Sequence, residues 1–143
     1  MTRNKIVVPF ISASDSDVPI IKFHIGATIH YAIIDTGAES TIFNTSLSSM
    51  MDNCKEEEIS IVGVAGETTP TTIQHATTRI WMQNNEGHVL ILVVSGYIND
   101  ISHLSDHFLP NENIKIDAIL GSDMLNEFQA KINYNKKEIY FKL

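Results

Sequence analysis

A run of apolar residues that ends in an acid constrains this chain more than any other feature. The run Thr28–Ile34 becomes wholly apolar before Asp35, and Thr36 and Gly37 follow at once. Apolar side chains at successive positions indicate a strand that is buried on both faces. A lone carboxylate at the end of such a strand is costly unless it is hydrogen-bonded, paired or protonated. A turn-capping role for Asp35 would account for a bare Asp-Thr-Gly tripeptide, because such tripeptides arise by chance.

Strand signals dominate the remainder of the chain. Runs of β-branched and aromatic residues alternate with turn residues, which is typical of strands joined by hairpins. Gly26 and Ala27 predict a hairpin turn between the first two runs. The charged stretch 55–58 is interpreted as a solvated segment. Strands are predicted at 18–25, 28–34, 59–64, 71–82, 88–94 and 114–120, with a terminal hairpin of 130–134 and 137–141.

Helical signals are few. Residues 96–113 carry the clearest helical period, and Asn99 or Asp100 is expected to cap its start. Residues 46–51 are predicted to form a short helical turn. Residues 123–128 are predicted to form a short helix that is capped by the hydroxyl of Ser122. The apolar stripe within 96–113 consists of Ile98, Ile101, Leu104, Phe108 and Leu109.

The composition indicates a single globular domain. The chain has 143 residues, of which 43% are apolar and 19% charged. A chain of this size and balance can bury a hydrophobic core without disulfides or metals. We therefore predict one mostly β domain over residues 1–143, with a possible helical insertion at 96–113.

Charge and cysteine content argue against several classes of partner. The net charge is −7, and an acidic surface repels phosphate backbones, so no nucleic-acid partner is expected. No apolar run approaches the roughly 20 residues that span a bilayer, so no membrane association is expected. The single cysteine, Cys54, leaves no internal disulfide and no thiolate zinc site within one chain.

Three segments resemble the motifs of one enzyme family. Residues 33–40, which read Ile-Ile-Asp-Thr-Gly-Ala-Glu-Ser, resemble the active-site loop of the single-domain retroviral type of aspartic protease, the retropepsins. Residues 119–121, Ile-Leu-Gly, resemble the family's apolar-apolar-Gly segment, which crosses behind the catalytic loop and runs into a short helix. Residues 63–66, Gly-Val-Ala-Gly, lie about where the family places its glycine-containing flap. The resemblance extends over most of residues 18–143.

The resemblance implies both a fold and an activity. The implied fold is mostly β, a retropepsin-like acid-protease closed β-barrel or sandwich with one or two short helices, assembled as a homodimer. The implied activity is that of an aspartic endopeptidase, which hydrolyses a peptide or protein substrate with an activated water and without a metal or other cofactor. Asp35 would be the catalytic residue. The other implied roles are support of the active-site loop by Thr36, Gly37 and Ala38, closure over substrate by Gly63, Val64, Ala65, Gly66 and Glu67, and packing against the loop by Ile119, Leu120 and Gly121.

The single Asp-Thr-Gly motif bears on assembly. The family's chemistry needs two carboxylates that share one proton, and this chain contains one such motif. A complete site would therefore take Asp35 from each of two subunits across a two-fold axis. A partner chain that supplies the second Asp is an alternative, and so is a catalytically silent dimerisation or peptide-binding module with the same fold. The last strand, within 137–143, would either join a dimer sheet or complete the core.

The sequence also departs from the viral members of the family. Viral enzymes often carry Arg directly after the apolar-apolar-Gly segment, where Ser122 stands here, and their flap holds more glycines. The dimer contact and the closure over substrate are therefore expected to differ. We expect a cytoplasmic protein, or one within a polyprotein if the source is a retroelement.

Two other groups of residues carry weaker signals. His103 and His107 are four apart on the predicted helix, a spacing that lets two side chains contact one metal ion, but a polar helix face explains them more simply. Cys54 is interpreted as an unreactive loop thiol, because no catalytic motif surrounds it.

Overall fold

The fold is built from hairpins and two parallel strand pairings. In a computed structural model of the protein, the described residues are 5–12, 16–108 and 114–143. Their strands are β1 (Lys5–Pro9), β2 (Ile11–Ser12), β3 (Pro19–Ile25), β4 (Thr28–Ile34), β5 (Ile42–Asn44), β6 (Asn53–Val62), β7 (Thr68–Gln83), β8 (Val89–Asn99), β9 (Ile116–Leu120), β10 (Lys131–Asn133) and β11 (Glu138–Lys142). Their helices are a 3-10 helix (Thr45–Met50), α1 (His103–Phe108) and α2 (Ser122–Glu127).

Six of the strands close into a barrel, namely β3, β4, β9, β5, β8 and β7. They are hydrogen-bonded in that order, and the ring closes where His24 of β3 pairs with Trp81 of β7. β4 runs parallel to β9 and β5 runs parallel to β8, while the other neighbours in the ring are antiparallel. Closure satisfies strand edges that an open sheet would expose. The parallel pairing of β4 with β9 places the ends of these two strands side by side.

Alternating side chains on β7 and β8 fill the barrel. Ile80, Met82, Leu90 and Leu92 are fully or almost fully buried, whereas Ile91 of β8 is 61% exposed. This is the period of two that a strand with one buried face produces. The predicted hairpin between β3 and β4 is present, with Gly26 at a positive φ of 55°. The mostly β architecture that the sequence predicted is confirmed.

The chain ends contribute a second, smaller sheet in the order β1-β11-β10. β11 is the central strand, with β1 on one edge and β10 on the other. Its side chains Ile139 and Phe141 are fully buried in the main core. The last strand therefore contributes to the core of this chain, and its part in a dimer sheet stays a prediction.

The charged stretch at 55–58 is part of a strand, which corrects its interpretation as a merely solvated segment. β6 runs through these residues and pairs with β7 along its whole length. Nine of the ten residues of β6 are exposed and one is half-buried. Both faces of β6 are exposed to solvent, so its sequence lacks the alternation of apolar and polar residues that identifies a half-buried strand.

The predicted helix at 96–113 is wrong at its start. β8 continues to Asn99, so Ile98 lies on a strand, and α1 begins only at His103. Residues 109–113, including Leu109, lie outside the described residues. Within α1, Leu104 packs on the outside of the barrel against Ile20 and Ile33. None of the helices in the described part of the chain is long and apolar enough to cross a membrane.

Candidate active site

Asp35 follows β4 at the point where that strand is still paired with β9. Ile33 lies opposite Ile119 and Ile34 opposite Leu120 in the parallel ladder. The amide of Asp35 then donates a hydrogen bond of 3.0 Å to the carbonyl oxygen of Leu120. The start of the Asp35 loop is therefore fixed by the backbone of β9.

A tight turn orients the Asp35 carboxylate. The amide of Gly37 donates to Oδ1 of Asp35 at 3.0 Å, and the amide of Ala38 donates to the Asp35 carbonyl oxygen at 3.2 Å. A Cβ on Gly37 would lie 3.3 Å from the same Oδ1, which is tight for any larger residue. Asp35 and Ala38 are half-buried, while Thr36 and Gly37 are exposed. The turn thus holds the acid at the surface with one oxygen engaged by the backbone.

Gly121 allows the segment after β9 to cross directly behind this loop. A Cβ on Gly121 would lie 2.7 Å from the backbone carbonyl of Ser40 and 2.8 Å from the carbonyl oxygen of Ala38. The next amide, that of Ser122, donates to the Ala38 carbonyl oxygen at 2.7 Å. Gly121 precedes α2 in the N-cap position and no side chain caps the helix, so the predicted capping by the Ser122 hydroxyl is wrong.

A polar contact between the buried Thr41 and the exposed Asp123 completes the junction, and the sequence did not reveal it. The Thr41 amide donates to Oδ2 of Asp123 at 3.1 Å, and the Thr41 hydroxyl donates to Oδ1 at 2.8 Å. The same hydroxyl accepts a hydrogen bond from the Gly121 amide at 3.1 Å. Thr41 has no exposed surface. Its partners lie far along the chain, so no local pattern marks it.

The Asp35 loop opens into a cleft of about 610 Å³, called here the Asp35 cleft. Three segments meet in it: the loop itself, the residues before and at the start of β3, and the turn between β10 and β11. Sequence analysis predicted site residues in only the first of these three segments. The lining residues are Ile34, Asp35 and Thr36 from the loop, Asp17, Val18 and Pro19 from the second segment, and Tyr134 and Asn135 from the turn.

Residues 63–67, called here the flap turn, join β6 to β7. The Gly63 amide donates to the Glu67 carbonyl oxygen at 2.7 Å, and the Gly66 amide donates to the Gly63 carbonyl oxygen at 3.0 Å. Gly66 takes a positive φ of 83°, which favours glycine. The side chain of Val64 is fully exposed, and Ala65 is exposed as well. None of these five residues lines the Asp35 cleft, so this chain by itself does not bring the flap turn and Asp35 together.

Two of the histidines that do not line the cleft make close side-chain contacts. Nδ1 of the buried His30 lies 2.9 Å from Oδ2 of Asp117 and links β4 to β9. The imidazole of His24 stacks on the indole of Trp81, with ring centroids 3.6 Å apart. Burial is the main cause that lowers the pKa of His24, and the positive charge of Lys22 lowers it further.

No candidate metal site is found in the part of the chain that the structure describes. No group of three or more His, Cys, Asp or Glu side chains is arranged there to hold an ion. Cys54 is an exposed free thiol on β6 rather than a loop residue, since β6 begins at Asn53.

A closed barrel that presents an Asp-Thr-Gly turn at the end of a buried strand, with a glycine segment crossing behind it, is the architecture of the single-domain aspartic proteases. Residues 15–133 match the sequence profile of the retroviral aspartyl protease family. The chain therefore belongs to that family, and its fold is retropepsin-like. A search of curated protein sequences gave no match.

The fold is also similar to a solved structure. The crystal structure of a retropepsin-like aspartic protease from Rickettsia conorii superimposes with a TM-score of 0.51 over 97% of this chain and 90% of that chain, at 14% sequence identity. At this identity the similarity concerns the fold. It agrees with the retropepsin-like closed barrel that the sequence motifs implied.

Proposed function

We propose that the protein is an aspartic endopeptidase whose active site is completed by a second copy of the chain. The observation that carries the proposal is the Asp35 turn, in which the Gly37 amide holds a carboxylate oxygen at 3.0 Å at the mouth of a cleft. The family to which the chain belongs supports a protease function. The particular reaction, the dyad and the assembly go beyond that support.

The need for two chains follows from the chemistry of one carboxylate. An isolated carboxylate can act as a base, but general acid catalysis at the same time needs a second, protonated group. Two carboxyl groups about 3 Å apart hold one proton between them, because both cannot ionise together at low cost. The chain supplies one Asp-Thr-Gly motif. A two-fold axis beside Asp35 would bring it against its own copy, since a C2 contact is isologous.

In the proposed reaction, the ionised carboxylate of the dyad accepts a proton from a water molecule. The water oxygen attacks the scissile carbonyl carbon, while the protonated carboxyl donates its proton to the carbonyl oxygen. The tetrahedral intermediate then collapses: the carbon–nitrogen bond breaks, the amine leaves with a proton from the dyad, and one hydroxyl of the intermediate returns its proton to the dyad as the carbonyl re-forms. No covalent bond forms between the enzyme and the substrate.

The neighbouring residues would have supporting roles. Thr36 is exposed beside Asp35, where its hydroxyl would hydrogen-bond across the dimer contact. Gly37 would allow close approach of the substrate backbone, and Ala38 would pack beside the cleft. The flap turn would close over the substrate and exclude water. Ile119, Leu120 and Gly121 would hold the loop in place through the contacts described above.

Peptide cleavage by the full chain tests this proposal. We expect the wild type to cleave a mixed peptide library between about pH 3 and 7, with a rate per chain that rises with protein concentration as dimers form. Asp35→Asn should abolish cleavage while keeping the fold and the dimer mass in solution. Asp106→Asn makes the same chemical change on an exposed acid of α1 and should leave the rate unchanged.

Three outcomes would redirect the proposal. Cleavage that survives Asp35→Asn would contradict the role of Asp35. A folded wild type that cleaves nothing across the pH range would favour the catalytically silent dimerisation or peptide-binding module. If the wild type is monomeric and inactive alone, a partner chain that supplies the second Asp becomes the working hypothesis.

A further inference from the structure

We propose that Asp17 makes the enzyme prefer substrates with a lysine or arginine side chain close to the scissile bond. The inference rests on the proposed endopeptidase function and names the class of side chain that the Asp35 cleft accepts. Asp17 lies two residues before β3 and lines the same cleft as Asp35. Asp17 is exposed, so a peptide whose carbonyl group reaches Asp35 can bring a neighbouring side chain to Asp17.

The carboxylates that line the cleft are Asp17 and Asp35. The other titratable lining residue is Tyr134, and no Lys, Arg or His is among the described residues that line the cleft. The two contacts between a histidine and a carboxylate found among the residues that the structure describes, His30 with Asp117 and His88 with Glu86, do not involve Asp17. A concave surface that carries one sign of charge concentrates ligands of the opposite sign. The charge of this cleft therefore favours a cation from the substrate.

The side chains that line the cleft suit a cation on an apolar stem. Val18, Pro19 and Ile34 give it apolar walls, and the ring of Tyr134 lies at its rim with 55% of its surface exposed. Lysine and arginine carry three or four methylene groups beneath the charge, and these groups pack well on apolar surface. An aromatic ring nearby attracts the same cation through its π face. An apolar or acidic side chain would use only part of this surface.

Two lysines, Lys5 and Lys131, line a neighbouring cavity rather than the Asp35 cleft. Tyr134 and Asn135 also line a neighbouring cavity of about 530 Å³, together with Lys5 and Lys131. Tyr134 and Asn135 of the β10–β11 turn line both spaces, but only the Asp35 cleft is lined by acids. A substrate side chain beside the scissile bond would meet Asp17 there, whereas Lys5 and Lys131 line the neighbouring cavity. The preference is therefore expected near the cleaved bond.

Matched synthetic peptides test the inference. A peptide that the wild type cleaves is changed to Lys, Gln or Glu at each position within two residues of the scissile bond. At one position, kcat/KM for Lys should exceed that for Gln by about tenfold, the range expected for a charged hydrogen bond. Asp17→Asn should reduce this ratio to about one, and Asp17→Lys should make Glu the better substrate. Glu86→Gln removes an exposed charge from the distant β7–β8 turn and should keep the wild-type ratio.

The outcomes separate the inference from the function on which it rests. Asp35-dependent cleavage with the same Lys-to-Gln ratio in the wild type and in Asp17→Asn overturns the role of Asp17 and leaves the endopeptidase function in place. The same holds if the wild type shows no charge preference at any position. If no peptide is cleaved by the wild type, the proposed function fails and the inference fails with it.

Discussion

The hydroxyl of Thr41 donates a hydrogen bond of 2.8 Å to Oδ1 of Asp123, which lies 82 residues later in the chain. The Thr41 amide donates to the other oxygen of the same carboxylate, and the Met124 amide donates to Oδ1 at 2.7 Å. Because Thr41 is fully buried, water cannot replace these contacts at low cost. One carboxylate therefore joins the end of the Asp35 loop to the first turn of α2.

Removal of this carboxylate should destabilise the whole fold. We expect Asp123→Ala to lower the free energy of unfolding by about 2 kcal/mol, because it leaves two buried donors of Thr41 without an acceptor. Urea unfolding measures the change. Glu127→Ala, at the exposed end of the same helix, should change stability by no more than about 0.5 kcal/mol. Equal effects of the two substitutions would contradict the structural role of Asp123.

Gly121 should tolerate no side chain. In Gly121→Ala the new Cβ would meet the backbone of Ser40 and Ala38 at 2.7–2.8 Å, and overpacking of this kind costs about 1–3 kcal/mol. We expect lower stability in urea together with lower peptide cleavage, since the displaced loop carries Asp35. Gly63→Ala is the matched control, because its Cβ meets only the flexible side chain of Glu67. A smaller loss of stability in Gly121→Ala than in Gly63→Ala would be inconsistent with this packing.

The pKa of His24 should lie below its ordinary value of 6.5. Burial lowers it most, and the charge of Lys22 adds to this, so Lys22→Gln should raise the pKa measured by NMR titration. Lys55→Gln, an exposed lysine on β6, should leave it unchanged. Because the folded-state pKa is lowered, neutral His24 stabilises the fold above pH 6.5, and this contribution is lost as the pH falls through the folded-state value. A measured folded-state pKa of His24 at or above 6.5 would contradict the predicted lowering.

Thr36 should matter more for association than for folding. Its side chain is exposed beside Asp35 in the isolated chain, so Thr36→Val should hardly change monomer stability. If its hydroxyl hydrogen-bonds across the dimer, the dissociation constant from sedimentation should rise by about tenfold. Cleavage should recover at high protein concentration. Thr45 is an exposed threonine in the 3-10 helix, and Thr45→Val should leave the dissociation constant unchanged. A similar change of the dissociation constant in both variants would contradict a role of Thr36 in the dimer contact.

Sequence reasoning worked best where a local pattern reports on burial. The apolar run before Asp35 and the Gly26-Ala27 turn predicted β4 and its hairpin, because strand burial and turn geometry depend on neighbouring residues. Sequence reasoning was less successful where one pattern of apolar residues fits both a helix and a strand. Ile98, Ile101 and Leu104 fit a helical stripe, but Ile98 belongs to β8 because it pairs there with β5 and β7.

Long-range contacts explain what the sequence did not predict. Thr41 is an ordinary polar residue until the fold brings Asp123 to it. Asp17 and Tyr134 meet in the Asp35 cleft although more than a hundred residues of chain lie between them. Neither pairing has a periodicity or a spacing rule behind it. A site built from distant segments therefore needs the tertiary structure before all of its residues can be named.

Subunit mixing tests a dyad shared by two chains most directly. A fixed amount of wild-type chain is equilibrated with a ninefold excess of Asp35→Asn, and exchange is verified by mass. Random pairing leaves about one tenth of the wild-type chains in wild-type dimers, so cleavage should fall to about one tenth. The same excess of Asp106→Asn should add activity instead. Full wild-type activity in the presence of the exchanged Asp35→Asn chain would show that a single chain holds a complete active site, and would contradict the shared dyad.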